Sequence, residues 1–146
     1  MKPSIVLPAF LVLSAAWAIP ASVMAQTVPS VGTQKHVKVI GMEDYRQVVD
    51  NPGAALIIDV REPDEFAAGH IPGAINIPRG VIDAQIWSHV GGPDNPDKQR
   101  PIVLQCQAGR RASMAAQSLE QLGFTHTSVV MMNLDDWKKA GHPFVK

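Results

Sequence analysis

The chain has 146 residues, room for one ordinary domain and hardly for two. Thirteen basic residues balance thirteen acidic ones, so no electrostatic excess points to nucleic acid and no acidic run to a solvating tail. No internal repeat or low-complexity tract is visible, and a single cysteine excludes an internal disulfide framework.

Residues 1–25 read as an export signal. Lys2 supplies the positive start, an apolar stretch runs from Ile5 to Ile19 with Pro8 and Ser14 inside it, and Pro20 breaks it. Small residues then suit a peptidase, with Val23 at −3 and Ala25 at −1. Cleavage is expected after Ala25, with Ala18 as the second choice. The run is shorter than the ~18–20 apolar residues of a spanning helix, so no stable membrane anchor is expected. No cysteine lies there to carry a lipid. The expected location is the periplasm. Loss of Lys2 leaves 12 basic against 13 acidic residues, a formal charge of −1.

Residues 26–36 form a polar leader, and residues 37–146 alternate between strand-like and helix-like runs. "HVKVI" (36–40) predicts a short strand. "GMEDYRQVVDNPG" has helical spacing at Met42, Tyr45, Val48 and Val49, and Asn51-Pro52-Gly53 ends it. "AALIID" (54–59) has the length of a buried strand. "EPDEFAAG" predicts a short helix with Pro63 in its first turn and Gly69 at its end. "GAINIP" is a brief strand, "RGVIDAQIWSHV" is helix-like, and "GGPDNPDKQR" (91–100) is a surface loop. "PIVLQC" (101–106) is another buried strand.

From Arg111 the apolar positions Ala112, Ala115, Ala116, Leu119 and Leu122 trace one helical stripe, stopped by Gly123. "TSVVMM" predicts a last strand and "LDDWKKAG" a last helix, with Asn133 as its N-cap. Such alternation implies an α/β domain with a mainly parallel sheet covered on both faces. Ligands of such sheets gather at the carboxyl ends of the strands. Cys106 stands at one such end, directly before a helix.

The segment "CQAGRR", Cys106 to Arg111, joins strand to helix in very few residues. Ala108 and Gly109 let the backbone curl, and a tight turn into a helix N-terminus aims several N–H groups at one point, forming an anion cradle. Arg110 and Arg111 oppose the helix macrodipole, which would favour acidic residues there. Their presence implies an anion or a thiolate at that place. In an exported protein a lone thiol has no internal disulfide partner, and here the surroundings favour a reactive group over an inert buried one. No histidine lies near Cys106 in sequence, whereas thiol-ester hydrolysis usually needs a Cys–His pair. Sulfur transfer needs no such pair. A thiolate attacks the sulfane sulfur of an anion such as thiosulfate, and sulfite leaves already charged.

These residues resemble the single-domain rhodanese family of thiosulfate sulfurtransferase-like proteins. The likeness covers about residues 40–145. It rests on "IIDVREPDEFAAGHIPGAINIP" (57–78) and on the Cys-x-x-Gly-x-Arg loop of Cys106, Gly109 and Arg111. It implies a five-stranded, mainly parallel rhodanese-like sheet flanked by helices. It also implies Cys106 as the persulfide-forming nucleophile, with Gln107, Ala108, Gly109, Arg110 and Arg111 binding the substrate. Related phosphatases and arsenate reductases carry the loop arginine one position later, where this chain has Ala112. The shorter loop fits one sulfur atom better than a tetrahedral oxyanion. The sequence departs from many relatives at Gln107, where arginine is common, and at Met132-Asn133, where a Gly-Gly pair precedes the late Trp137.

The expected partners are a small anionic sulfur donor and a cyanide or thiol acceptor, a protein thiol among them. A binding or stress-response module that holds an anion or thiol partner without turnover is the alternative reading. Asp59 and Arg61 are expected to support the site, Asp59 by accepting backbone N–H bonds and pairing with an arginine. His70 is expected in a turn with its ring satisfied, and Trp87 and Trp137 in packing. Five histidines without paired spacing, and no second cysteine, give no reason to expect a metal or other cofactor.

Overall fold

A computed structural model of the chain describes residues 37–146. The expected signal and its cleavage sites lie outside the described residues.

Five strands form one sheet: β1 (Lys38–Ile40), β2 (Leu56–Asp59), β3 (Ile75–Asn76), β4 (Ile102–Gln105) and β5 (Thr127–Val130). Their order is β1-β5-β4-β2-β3, and every pair is parallel. Four helices connect them, α1 (Met42–Asp50), α2 (Pro63–Ala68), α3 (Ile82–Gln85) and α4 (Arg110–Gln121), and α5 (Leu134–Lys139) follows the last strand. The alternating pattern predicted this parallel α/β sheet, and its five strands are the number the resemblance implied.

Strand periodicity sorts the core into two layers. Ile58, Val60, Leu104 and Cys106 face one side, where Ala112, Ala115, Ala116 and Leu119 of α4 cover them together with Ile82 and Ile86. Ile57, Val103 and Val130 face the other side, against Tyr45, Leu134 and Trp137 from α1 and α5. The three alanines let α4 lie close to the sheet. Leu119 closes that helix at full burial, and truncating such a residue to alanine typically costs about 2–5 kcal/mol.

One stretch departs from expectation. The helix-like run 79–90 is a chain of three short pieces: a 3₁₀ turn at Arg79–Val81, α3, and a second 3₁₀ turn at Ile86–His89. Ile82 and Ile86 are buried at i, i+4 spacing as an amphipathic helix requires. Gly80 and the β-branched Val81 give the flanks little helix preference, so only one turn closes with α-helical bonds.

The ends of α4 follow local chemistry. Gly123 takes φ +92°, and paired bonds from the Gly123 N–H to Glu120 O (2.9 Å) and the Phe124 N–H to Leu119 O (3.0 Å) stop the helix. α5 begins at Asn133, whose side-chain oxygen accepts the Asp135 N–H at 2.9 Å, the N-cap its sequence predicted.

Candidate functional site

The carboxyl end of β4 leads straight into the loop. The apolar run Ile102–Leu104 is buried between both layers, and it carries Cys106 to the sheet edge with only 3% of its surface exposed. Three residues later Gly109 adopts φ +87° and N-caps α4 without a side chain. A residue with a Cβ would be strained at that angle, and the Cβ would also stand 3.1 Å from Met131 Cε and 3.3 Å from the Val130 carbonyl. The backbone angle is thus the main reason for glycine here, and the crowding adds to it.

The turn bends the Gly109 N–H back onto Cys106, donating to Sγ at 3.1 Å. The amides of Gln107, Ala108, Arg110 and Arg111 have no hydrogen-bond partner among the described residues. Those of Arg110 and Arg111 belong to the first turn of a twelve-residue helix, where N–H groups lack intrahelical acceptors. A sulfur or an anion at this end therefore meets several donors and the positive end of the helix dipole. The Leu134 N–H holds the cradle from outside by donating to Gln107 O at 2.8 Å, which ties the first residue of α5 to the loop.

The two loop arginines are placed differently. Arg110 is exposed and has no side-chain partner among the described residues. Arg111 turns to α2, where its two terminal nitrogens reach the Glu65 carboxylate at 2.6 and 2.9 Å. The hydrogen bonds from Arg111 hold the Glu65 carboxyl at about 2, well below its ordinary 4.5. Arg111 is in turn held firmly protonated, chiefly by Glu65, with a lesser contribution from Cys106. Its guanidinium thus braces α2 against α4, beside the sulfur. Glu65 also accepts the Glu62 N–H at 3.1 Å, one half of a capping box. Glu65 is a site residue unforeseen from the sequence, although its Glu62-x-x-Glu65 capping spacing is legible there.

Gln107 leans toward α5, with its side-chain nitrogen 3.4 Å from Asn133 Oδ1 and 3.3 Å from Asp135 Oδ2. Ala108 is exposed at the top of the turn. Asp59 and Arg61 form a buried pair at the end of β2, with Arg61 Nη2 2.6 Å from Asp59 Oδ2. Asp59 also accepts the Arg61 backbone N–H at 3.0 Å, and Arg61 continues to Gly69 O at 2.8 Å. Asn76 of β3 closes the turn by donating to the carbonyls of Asp59 (3.0 Å) and Arg61 (2.9 Å). Its role was invisible in the sequence. The His70 ring is satisfied within its turn, bonded to Phe66 O at 3.0 Å and stacked on the Phe66 ring. Trp87 packs beside Phe124, and Trp137 is buried with its indole N–H donating to Pro143 O at 2.9 Å.

The Rhodanese-like domain family matches residues 42–140. The thiosulfate:glutathione sulfurtransferase of Saccharomyces cerevisiae is 30% identical over 115 residues, covering 73% of this chain and 81% of that protein. The putative sulfur carrier protein YrkF of Bacillus subtilis is 32% identical over 98 residues, which cover 67% of this chain and 49% of that protein. This chain therefore spans about half its length. A solved structure described as a rhodanese with anions from Escherichia coli superposes with a TM-score of 0.51 at 33% identity, over 64% of this chain and 99% of that one.

Proposed function

The chain belongs to the rhodanese-like domain family, and from that premise we propose that it transfers sulfane sulfur through a persulfide on Cys106. One observation carries the reading: the Gly109 N–H is already bonded to Cys106 Sγ, in a loop whose other amides are free to meet a second sulfur.

The Cys106 thiolate attacks the outer sulfur of thiosulfate. An Sγ–S bond forms, the bond between the outer sulfur and the sulfonate breaks, and its electron pair leaves with sulfite. The charge of −3 on the reactants reappears as a persulfide anion and a sulfite dianion. The outer sulfur then accepts hydrogen bonds from the cradle, which stabilise its charge where it develops. Cyanide or a thiolate attacks that sulfur, the Sγ–S bond breaks, and Cys106 returns as thiolate. No proton moves in either step with cyanide, in keeping with a site where, among the described residues, no histidine is bonded to Cys106. Arg111 acts as a positioning residue through Glu65, while Arg110 presents its charge to the incoming anion. Residues 1–25 support export, and the working form then begins at Gln26 in the periplasm.

Mixing with thiosulfate should release sulfite and raise the intact mass by one sulfur, which cyanide removes as thiocyanate. Cys106→Ser should lose turnover by at least about 10³-fold, the scale of removing a covalent nucleophile. Undiminished turnover in that variant would overturn the reading. The same mass spectrum, taken on exported material, reads the mature N-terminus.

A further inference from the structure

Four methionines lie among the described residues: Met42, Met114, Met131 and Met132. Met42 and Met132 are partly buried and pack against the core layer of α1 and α5. Met114 is 39% exposed, on the face of α4 turned away from Ala112, Ala115, Ala116 and Leu119. Met131 follows β5 directly, with 49% of its surface exposed. Its thioether is seated on Gly109, where an added Cβ would overlap Met131 Sδ and stand 3.1 Å from Cε. The Met131 backbone is anchored, because its N–H donates to Ile40 O at the end of β1, at 2.9 Å. A flexible side chain on a fixed backbone thus leans against the cysteine loop.

The two sulfurs beside Gly109 differ in accessibility. Cys106 is 3% exposed, whereas Met131 is half exposed. Gly109 joins them: its α-carbon meets Met131 Sδ, and its N–H donates to Cys106 Sγ at 3.1 Å. An oxidant arriving from solvent therefore meets the thioether first. A thioether takes up one oxygen to give a sulfoxide, which makes an apolar side chain polar. A polar oxygen is costly against an apolar α-carbon and well solvated in water, so the oxidised side chain leaves its seat. Gly109 then loses one of the groups that back it. The other is the Val130 carbonyl, 3.3 Å from the same Cβ position. With that support gone, the amide no longer holds its place against Sγ.

We propose that Met131 is an oxidation site that switches the cysteine loop, and that its reagent is a two-electron oxidant of the hypochlorous acid class. In net terms the Met131 sulfur gains an S–O bond and loses two electrons. The O–Cl bond breaks, its electron pair leaves with chloride, and the proton of the acid passes to solvent. A methionine sulfoxide reductase reverses the change. A dithiol supplies the two electrons, becomes a disulfide, and the oxygen leaves as water. The oxidation stands apart from the sulfur-transfer reading above, while its effect on turnover rests on that reading.

The test holds Cys106 as a mixed disulfide, so that the thiol is spared while one equivalent of hypochlorous acid is added. Dithiothreitol then frees the thiol and leaves any sulfoxide in place. Peptide mass mapping should find the added oxygen at Met131 ahead of Met114, Met42 and Met132. Thiosulfate turnover should fall about tenfold, the scale of a small misplacement at a reacting group, and the rate of Cys106 alkylation by iodoacetamide should fall with it. Methionine sulfoxide reductase should restore both. In Met131→Leu the ratio of treated to untreated rates should stay near unity, whereas Met114→Leu should respond as the intact protein does. Oxygen at Met131 with both rates unchanged overturns the proposal, as does a loss that persists in Met131→Leu, or Met114 oxidised ahead of Met131. A second measurement needs no variant. The Gly109 amide resonance should move on oxidation and return with the reductase, and a resonance that stays in place also overturns the switch. Absence of thiosulfate turnover before any oxidation would instead defeat the sulfur-transfer reading, and alkylation and the Gly109 resonance would still decide the switch.

Discussion

Two turns leave the carboxyl edge of the sheet side by side, and they treat their polar groups in opposite ways. After β2, Asp59, Arg61, Gly69 and Asn76 bond one another in a closed set, with both charges buried. After β4, the loop from Cys106 to Arg111 has one internal amide bond, to sulfur, and its neighbouring amides have no partners among the described residues. Buried polar groups are normally satisfied, so a closed set reads as structure and an open cradle reads as a place for a ligand. The difference separates a turn closed on itself from one left open to a ligand.

Substitutions should respect that division. Arg61→Ala is the largest stability change expected, because it leaves Asp59 buried and unpaired. A loss of about 3–5 kcal/mol in denaturant unfolding is the outcome that fits. A loss below about 1 kcal/mol would show that the pair is not a structural fastener. Gly109→Ala should cost about 1–3 kcal/mol for a left-handed non-glycine residue. Its larger mark should be on turnover, on the order of 10²-fold, since displacing the amide shifts the cradle from Sγ. A variant that loses stability but keeps its rate would break the contrast between the two turns.

Glu65→Gln probes the brace between them. The Glu65 carboxyl is lowered in the folded chain, so its contribution is complete above its ordinary 4.5 and disappears as pH falls toward about 2. The variant should lose about 1 kcal/mol at neutral pH, and its stability should fall less steeply across that acid window. Thermal unfolding of both proteins between pH 2 and 7 reads this directly. The smallest effect is expected at Gln107. Gln107→Arg adds a cation beside the cysteine, yet Asp135, whose carboxyl is lowered first by Lys138, stands ready to pair with it. The KM for thiosulfate should fall by no more than about two- to fivefold, the worth of one exposed charge pair. The drop should be larger when Asp135→Asn removes the competitor.

Much of the local structure was legible because its causes are local. The alanine stripe and Gly123 delimit α4, Pro63 and Gly69 bracket α2, and Asn133 caps α5 through its own side chain. The run 79–90 misled because its buried isoleucines keep helical spacing while Gly80 and Val81 break the continuity around them.

By itself the sequence determined a parallel α/β domain, one sulfur at a strand end, and a tight loop of small residues leading from it into a helix. These follow from periodicity, backbone sterics and residue chemistry over a few positions. Tertiary structure alone decided that Arg111 pairs with Glu65, 46 positions away. It also decided that Asn76 locks the turn after β2 and that Leu134 holds the cradle from behind. Each depends on the strand order β1-β5-β4-β2-β3, which makes neighbours of segments far apart in the chain. The physical reason is that side-chain pairing is set by distance in space, and that distance exists only once the sheet has assembled.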